Sequence, residues 1–528
     1  MRMQTECPHC LRNLRITVNW DLDNGEKLQF AKCGHILFHR VERMFPPGQF
    51  EKDSLSGHAS AWEYQIEGVE FVNSTNGVAL IADEMGLGKT VQDLLYHRAA
   101  YVQLTPNLKV VKSATLWQWF QQYKKWCSNK LTGIFMIRDA KSFIPPGFDT
   151  YLISMDTFSR MVRAERNPYG KIISIAINPQ LDAIKFQSIT VDECQSFKDP
   201  SSNRTTALVA FLQQQDIKYK LFLSGTPIKN RADEYFTTLN ILDPTNFSSV
   251  EQFRRNWLVQ DQKGKWSSVN PYRLEAFREL IANYVIRREK KDVMKDLPEF
   301  RRAFETIYVE DEKIKKVYNA ELDKLRAIDA SKANVTWSDV SDSLMTLRRI
   351  MGLAKVDFAV EYIDTFLDTV ADEKIAIGIH HQAVRDLLYF KLKERGFNVL
   401  KLSGEDNSDK KNEIKNEFAK PGNRILIINM LAGGVGLDGL QVCNNVICLE
   451  RQWNSVDEEQ FEARFHRAGQ KLPVLAEYMI AKGTIDDFFS NLVEQKRLIC
   501  DQAFGNSWNA TDPEMLRELI DQTIASRL

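Results

Sequence analysis

The stretch "DEMGLGKT" (83–90) places two glycines, a lysine and a threonine at the spacing of a phosphate cradle. Such a loop wraps backbone N–H groups around phosphate oxygens where a side chain would clash, then supplies a lysine and a hydroxyl. Gly86, Leu87, Gly88, Lys89 and Thr90 fill these places, while the first glycine of the full pattern is absent. Lys89 would neutralise the β and γ phosphates of ATP, and the Thr90 hydroxyl would hold Mg²⁺. The plainer alternative is a glycine-rich turn with a surface lysine. Further along, "SITVDECQSF" (188–197) puts two carboxylates directly after an apolar, β-branched run. Asp192 would hold Mg²⁺ through water and Glu193 would orient the attacking water. "LFLSGTPIKN" (221–230) offers small hydroxyl residues suited to sensing the γ-phosphate, and Gln65 in "AWEYQIEGVEF" (61–71) offers an amide that can read the adenine edge. Each segment alone reads as a cap or a turn. Their order along the chain points to ATP hydrolysis.

A second constellation lies near the start. "CPHC" (7–10) is followed by a polar loop with an Asp-Asn-Gly turn signal and then by "KCGHILFH" (32–39). Cys7, Cys10, Cys33 and His35 form a candidate tetrahedral zinc set in a ribbon-like unit, with a hairpin joining two knuckles and with His9 and His39 competing for the fourth place. The alternative is reduced thiols in a β unit too poor in apolar residues to hold itself together. Cys127, Cys194, Cys443 and Cys448 are scattered among apolar or helical segments and Cys500 sits near the end, the pattern of reduced core residues.

The elements that must position these groups follow from periodicity. "GVALIAD" (77–83) reads as a buried strand entering the cradle, and "TVQDLLYHRAAYV" (90–102) as a helix whose N-terminus faces the phosphates. From about 58 to 245, strands "GVALIA", "LKVVKSA", "TGIFMI", "TYLISM", "SITVDE" and "YKLFLSG" alternate with helical sequence, which predicts a parallel sheet covered by helices. Residues 246–365 read as helical and charged. A second alternation follows through "KIAIGIH", "FNVLKLSG", "RILIIN", "NVICLE" and "LAEYMIA" to about 490, and the tail after it reads as helical. Two such lobes predict a cleft with movable walls.

Composition excludes several classes. The 528 residues are 44% hydrophobic, enough for about three domains with sizeable cores. Seventy basic residues balance seventy acidic ones, so any nucleic-acid surface must come from local placement of charge. No window approaches the ~18 apolar residues of a membrane span, and "MRMQTECPHC" is too polar for a signal peptide. The expected compartment is the cytoplasm of a bacterium or phage-infected cell, or the nucleus of a eukaryote, with no membrane partner.

Over residues 58–490 the chain resembles the Swi/Snf-type ATPases of helicase superfamily two. The resemblance is carried by "YQIEGVEF", "IADEMGLGKT", "ATLWQWFQQYKKW" (114–126), "VDECQSFKD", "LSGTPIKNRADEYF" (223–236), "VIRREKKDVMKDLPE" (285–299), "LAGGVGLDGL" (431–440) and "WNSVDEEQFEARFHRAGQ" (453–470). "LRRIMGLAKV" (347–356) with "IHHQAV" (379–384) is most similar to the distal branch that contains the annealing helicases. The resemblance implies an α/β fold of two RecA-like lobes with helical insertions. Its boundaries are a zinc-ribbon-like unit at 1–50, lobe one at 51–245, insertions and linker at 246–365, lobe two at 366–490 and a helical tail at 491–528. It implies a DNA-dependent ATPase that moves on double-stranded or branched DNA; apart from the resemblance, the zinc unit is expected to offer a surface to a protein partner.

Carried residue by residue, Arg464 and Arg467 become arginine fingers on one face of a lobe-two helix, and Gln460 matches the glutamine of that motif. DNA contacts fall to Ser113, Ala114 and Thr115, to Ser403 and Gly404, and to Ala432, Gly433 and Gly434, with Trp453 near the path. The charge runs 287–291, 301–302 and 410–415 would add grip or form solvated faces. Cys194-Gln195 replaces the family's usual Ala-His, which predicts altered coupling after the acidic pair, and Asp438 replaces its usual asparagine. Two competing readings remain. One is a strand-separating helicase on DNA or RNA; the other is a degenerate ATPase serving as a DNA-binding scaffold, against which the intact Lys89, Asp192, Glu193, Arg464 and Arg467 weigh.

Overall fold

The computed structural model describes residues 16–21, 27–31, 61–127, 133–166, 172–225, 232–260, 266–331, 335–370, 372–433, 439–453, 455–502 and 520–526. The chain divides into two compact units, one of residues 1–227 and 233–289 and the other of residues 228–232 and 290–528.

The first unit is built on a seven-stranded parallel sheet. Its order is Val285–Ile286, Val78–Ile81, Tyr219–Leu223, Ser188–Asp192, Asn107–Val111, Thr150–Ser154 and Ile134–Ile137. Asn107–Val111 and Thr150–Ser154 are buried at every position, as a sheet covered on both faces requires. Helices Glu63–Ser74, Lys89–Ala99 and Leu116–Cys127 pack on it, so Val69, Leu94, Trp119, Tyr123 and Trp126 share one core with Ile81 and Leu223. Parallel order puts the C-terminal ends of Val78–Ile81, Tyr219–Leu223 and Ser188–Asp192 side by side, and ligands bind at that end of such sheets.

The second unit carries a six-stranded parallel sheet in the order Phe300–Ile307, Val474–Ala481, Asn445–Cys448, Ile375–Ile379, Ile425–Asn429 and Val399–Leu402. Helices Glu312–Ser331 and Trp337–Ala354 pack against Ile485–Gln502 around Leu325, Leu344, Leu347 and Phe489. The two-sheet α/β architecture matches the sequence expectation.

Several elements differ from it. The helix after the cradle runs Lys89–Ala99 and is followed by a separate turn Tyr101–Leu104, because Ala100 leaves helical geometry. The segment read as mostly helical also contains strands Leu258–Gln260, Trp266–Val269, Val285–Ile286 and Phe300–Ile307. The latter is an edge strand reading "FRRAFETI", and its polar, largely solvent-facing pattern hides it from a search for buried runs. Near the N-terminus, Ile16–Asp21 and Lys27–Ala31 pair antiparallel, with Asp21 opposite Lys27, around the Asp-Asn-Gly signal. The turn and the proposed zinc ligands Cys7, Cys10, Cys33 and His35 lie outside the described residues. Cys127, Cys194, Cys443 and Cys448 are buried free thiols. Among the described residues no helix is long and apolar enough to cross a membrane.

Candidate active site

The cradle leaves the strand Val78–Ile81 and enters the helix Lys89–Ala99 at Gly88. Gly88 has φ +74°, and a Cβ there would meet the Gln65 amide nitrogen at 2.5 Å, so the position needs glycine on both counts. Gln65 Nε2 donates to Leu87 O at 3.3 Å while its Oε1 accepts from Trp62 N at 3.1 Å, which fixes the amide proposed to read adenine against the loop. Lys89 Nζ donates to the carbonyls of Asp83 (2.6 Å) and Glu84 (3.2 Å). A Cβ on Gly225 would come within 3.3 Å of that ammonium, so the third motif approaches the cradle through its glycine. Gly86 has φ +93°, and Thr90 is the second residue of the helix.

Asp192 ends the strand Ser188–Asp192, and Glu193 follows in the left-handed region at φ 51°. That conformation costs a non-glycine residue ~1–2 kcal/mol and recurs at functional turns. One Asp192 oxygen accepts from Glu193 N at 3.0 Å and the other from the Trp119 indole at 3.0 Å. Burial, then the neighbouring Glu193 charge, push the Asp192 carboxyl up to about 6, while the Trp119 bond and the charges of Lys89 and Lys112 pull it back. A cation would complete this electrostatic balance. Gln195 Nε2 donates to Glu193 Oε2, and Ser224 Oγ donates to Gln195 Oε1 at 2.7 Å. The glutamine that replaces the family's histidine therefore bridges the second and third motifs with a group that does not titrate.

A buried network supports the loop from behind. The Asp83 carboxylate, fully buried, accepts from Gln92 Nε2 (2.8 Å) and from Arg288 N (3.1 Å), Nε (3.1 Å) and Nη2 (2.6 Å). Arg288 also donates to Tyr64 O and lies 5.5 Å over the Tyr64 ring. The run 287–291, read as grip or solvated face, is thus partly structural, with Lys290 buried and the Arg288 side chain 11% exposed. Likewise Arg302 grips Glu462 at 2.7 and 2.6 Å.

Among the proposed DNA contacts in the first unit, Ser113, Ala114 and Thr115 form a 3₁₀ turn leading into Leu116–Cys127. Ser113 Oγ donates to Asp156 (3.0 Å) and Thr115 Oγ1 to Lys112 O (2.9 Å), so a phosphate would have to exchange with these bonds. In the second unit, Ser403 N donates to Asp406 at 2.6 Å and Gly404 lies in the turn beyond it. Ala432 and Gly433 close the short helix Met430–Gly433, and Gly434 lies outside the described residues. Trp453 packs edge-on to Phe489 (4.8 Å) and Trp337 (5.0 Å), with the Arg348 guanidinium 4.4 Å over its ring.

One expectation needs correction. Gln460 lies buried on the helix Ser455–Glu462, but that helix ends before Arg464 and Arg467, which sit in the turns beyond it. Glu462, tied to Arg302 and at 2.6 Å to Tyr478, anchors the helix end, and Gly469 at φ +91° continues the turn. The argument that the two arginines share a helical face therefore fails. Three residues that sequence reading did not single out take part: Trp119, Arg288 and Arg348. The signal for Trp119 was present, since Trp119, Tyr123 and Trp126 share a buried face and a buried indole must find an acceptor.

Comparison with known proteins adds to this geometry. The family described as SNF2-related domain matches residues 64–355, and the helicase conserved C-terminal domain matches residues 358–469. The chain is 29% identical over 468 residues to the SWI/SNF-related matrix-associated actin-dependent regulator of chromatin subfamily A-like protein 1 homolog of Caenorhabditis elegans, covering 86% of this chain and 61% of that protein. It is 24% identical over 441 residues to the human DNA annealing helicase and endonuclease ZRANB3, covering 82% and 39% respectively. Against these relatives the chain spans 61% of the length or less. A solved Sulfolobus solfataricus SWI2/SNF2 ATPase core in complex with dsDNA is 22% identical with a TM-score of 0.40, covering 92% of this chain and 99% of that one.

Proposed function

Because this chain belongs to the SNF2-related family, we propose that it is a DNA-stimulated ATPase that translocates on double-stranded or branched DNA and remodels DNA or protein–DNA complexes. The observation that carries the reading is the placement of Lys89, Asp192–Glu193 and Gly225 beyond the adjoining ends of Val78–Ile81, Ser188–Asp192 and Tyr219–Leu223. In this reading residues 51–245 and 366–490 are the two lobes.

The residues fit ATP and Mg²⁺. Gly86 and Gly88 present backbone where phosphate oxygens need donors, and each Asp192 oxygen keeps an acceptor site beyond its one hydrogen bond. Bound magnesium supplies charge neutralisation at the transferred phosphoryl group. Lys89 would bind phosphate in exchange for the Asp83 and Glu84 carbonyls, the Thr90 hydroxyl would hold the metal, and Asp192 would hold it through water. Glu193 orients the attacking water, held in place by Gln195. Arg464 and Arg467 are the arginine fingers of this reading, and Gln460 is the glutamine of the same motif.

Cys7, Cys10, Cys33 and His35 complete the reading as a zinc-ribbon-like unit offering a surface to a protein partner. Stoichiometric zinc in chelator-free protein, lost in Cys33→Ser, is the expected result, and zinc-free wild type overturns it. The compartment follows that of the DNA. The two relatives compared are eukaryotic, and they favour a nucleus over the bacterial or phage setting.

Translocation is tested by ATPase assays on single-stranded, duplex and forked DNA together with triplex displacement. Wild type should hydrolyse ATP fastest with duplex or forked DNA and displace a third strand, with Lys89→Ala inactive in both assays. Efficient unwinding of a plain fork without triplex displacement would promote the strand-separating alternative.

A further inference from the structure

The magnesium carboxylate is held by a residue of the helix that begins at the proposed DNA contact. The turn Ser113–Thr115 runs without a break into Leu116–Cys127, and Trp119 stands four residues after Thr115, one helical turn on. Its indole is 2% exposed and donates to Asp192 Oδ2 at 3.0 Å. The ring cannot swing away freely. Lys109 Nζ sits 5.7 Å from the ring centroid and is itself bound to Asp93 (2.6 Å) on the cradle helix and to Thr190 Oγ1 (3.3 Å) on the Asp192 strand. Thr190 Oγ1 in turn donates to Asp93 Oδ1 at 2.6 Å. Three elements thus lock the indole that fixes one Asp192 oxygen, while Glu193 N fixes the other.

We infer that Trp119 is a positioning residue that sets the Asp192 carboxylate for Mg²⁺ and ties that setting to the 113–115 turn, a device that rests on the ATPase reading above. A shift of the turn moves the helix as a body, because its backbone bonds are internal, and the indole carries the shift to Asp192. Binding linkage is reciprocal, so duplex DNA should lower the Mg²⁺ needed for nucleotide binding, and Mg²⁺ with nucleotide should tighten duplex binding by the same factor.

Trp119→Phe tests this by removing the N–H and keeping an aromatic ring. Trp126→Phe is the matched control, since Trp126 lies on the same helix and donates to Gln122 at 3.0 Å, away from the site. A fluorescent ATP analogue is titrated with Mg²⁺, with and without duplex DNA. Trp119→Phe should raise the half-saturating Mg²⁺ about ten- to a hundredfold, the range of roughly one hydrogen bond to a charged group, and abolish its dependence on DNA. Duplex affinity without nucleotide should stay within about twofold of wild type, well under the factor expected for a lost phosphate contact. Trp126→Phe should change neither. If the Phe variant melts early, benzothienylalanine at 119 replaces the N–H by sulfur at nearly constant shape and gives the same readout. Unchanged Mg²⁺ dependence in the folded variant overturns the inference, and an equal shift in Trp126→Phe overturns it as a non-specific packing effect. A wild type that binds Mg²⁺ and nucleotide but ignores DNA overturns the DNA-dependent reading and with it the tie to the turn, while the Mg²⁺ shift still decides the role of Trp119 at Asp192.

Discussion

Replacing Arg288 by methionine should destabilise the first unit severely, although no sequence motif places Arg288 in the site. Four donors converge on Asp83, and the substitution removes two of them, Nε at 3.1 Å and Nη2 at 2.6 Å. Gln92 and the backbone N–H of residue 288 remain, at 2.8 and 3.1 Å. Hydrogen bonds to a charged group are worth ~1.5–3 kcal/mol each. With Asp83 fully buried and the Arg288 side chain 11% exposed, solvent screening offers little relief. Two lost bonds give about 3–6 kcal/mol and one broken buried pair about 3–5 kcal/mol, against a total of ~5–15 kcal/mol for a folded domain. Hydrogen exchange at the Val78–Ile81 amides across a urea series reads the first unit separately from the second. Arg288→Lys should recover less than half of the loss, because an ammonium cannot fork across two oxygens. Asp83→Asn combined with Arg288→Met should cost about 2 kcal/mol less than the sum of the single changes, since the asparagine leaves no buried charge to satisfy. An Arg288→Met protein within ~1 kcal/mol of wild type would refute the reasoning.

Glu193→Gln is expected to keep ATP binding and lose turnover by at least ~100-fold, the scale of general-base loss, as read by single-turnover hydrolysis beside equilibrium binding. Arg467→Ala should retain ATP and duplex binding yet lose DNA-stimulated turnover, and retained stimulation would remove Arg467 from the machinery. Stability of the second unit should fall with acid. Burial, then the charges of Arg348 and His381, hold the His380 imidazole down at about 4. The folded value lies below the unfolded value of ~6.5, so stability is full above 6.5 and is lost as pH falls towards 4. The loss between pH 7 and pH 5 is about 2 kcal/mol, measured by urea melts of the second unit and flattened in His380→Gln.

What the sequence disclosed and what it hid divide along a physical line. The strands that reach the cradle and the acidic pair are runs such as "VALI" and "SITVD", almost wholly buried and interrupted inside only by small hydroxyl residues, and that pattern exposes them. The cradle is equally local, since its function needs glycines, a lysine and a hydroxyl within five positions. Arg288 is the opposite case. Its partner Asp83 lies 205 residues away, and in sequence it stands among five charged residues that resemble a solvated run. The fold inverts that appearance by pairing one member of the run with a carboxylate at the cradle's own entrance. The arginines after "QFEA" failed differently: spacing of three is helical only while the helix lasts, and the end at Glu462 is set by Arg302 on a remote edge strand.

That pattern bears on how the site works. Lys89 is bound to two loop carbonyls, Asp192 to Trp119 and to the backbone of Glu193, and Glu193 to Gln195, so these three groups already have partners. Nucleotide binding is therefore an exchange of partners rather than the filling of empty valences, and its net free energy is smaller than the new contacts alone would give. Such an exchange is open to control by whatever moves the partners. The partners come from the helix after 113–115, from the strand end at Ser224 and, through Asp83, from Arg288. A motor that must idle without its track needs hydrolysis to depend on elements outside the phosphate cradle. In the proposed reading those elements reach the side chains assigned to ATP, Trp119 directly, Ser224 through Gln195 and Arg288 through Asp83.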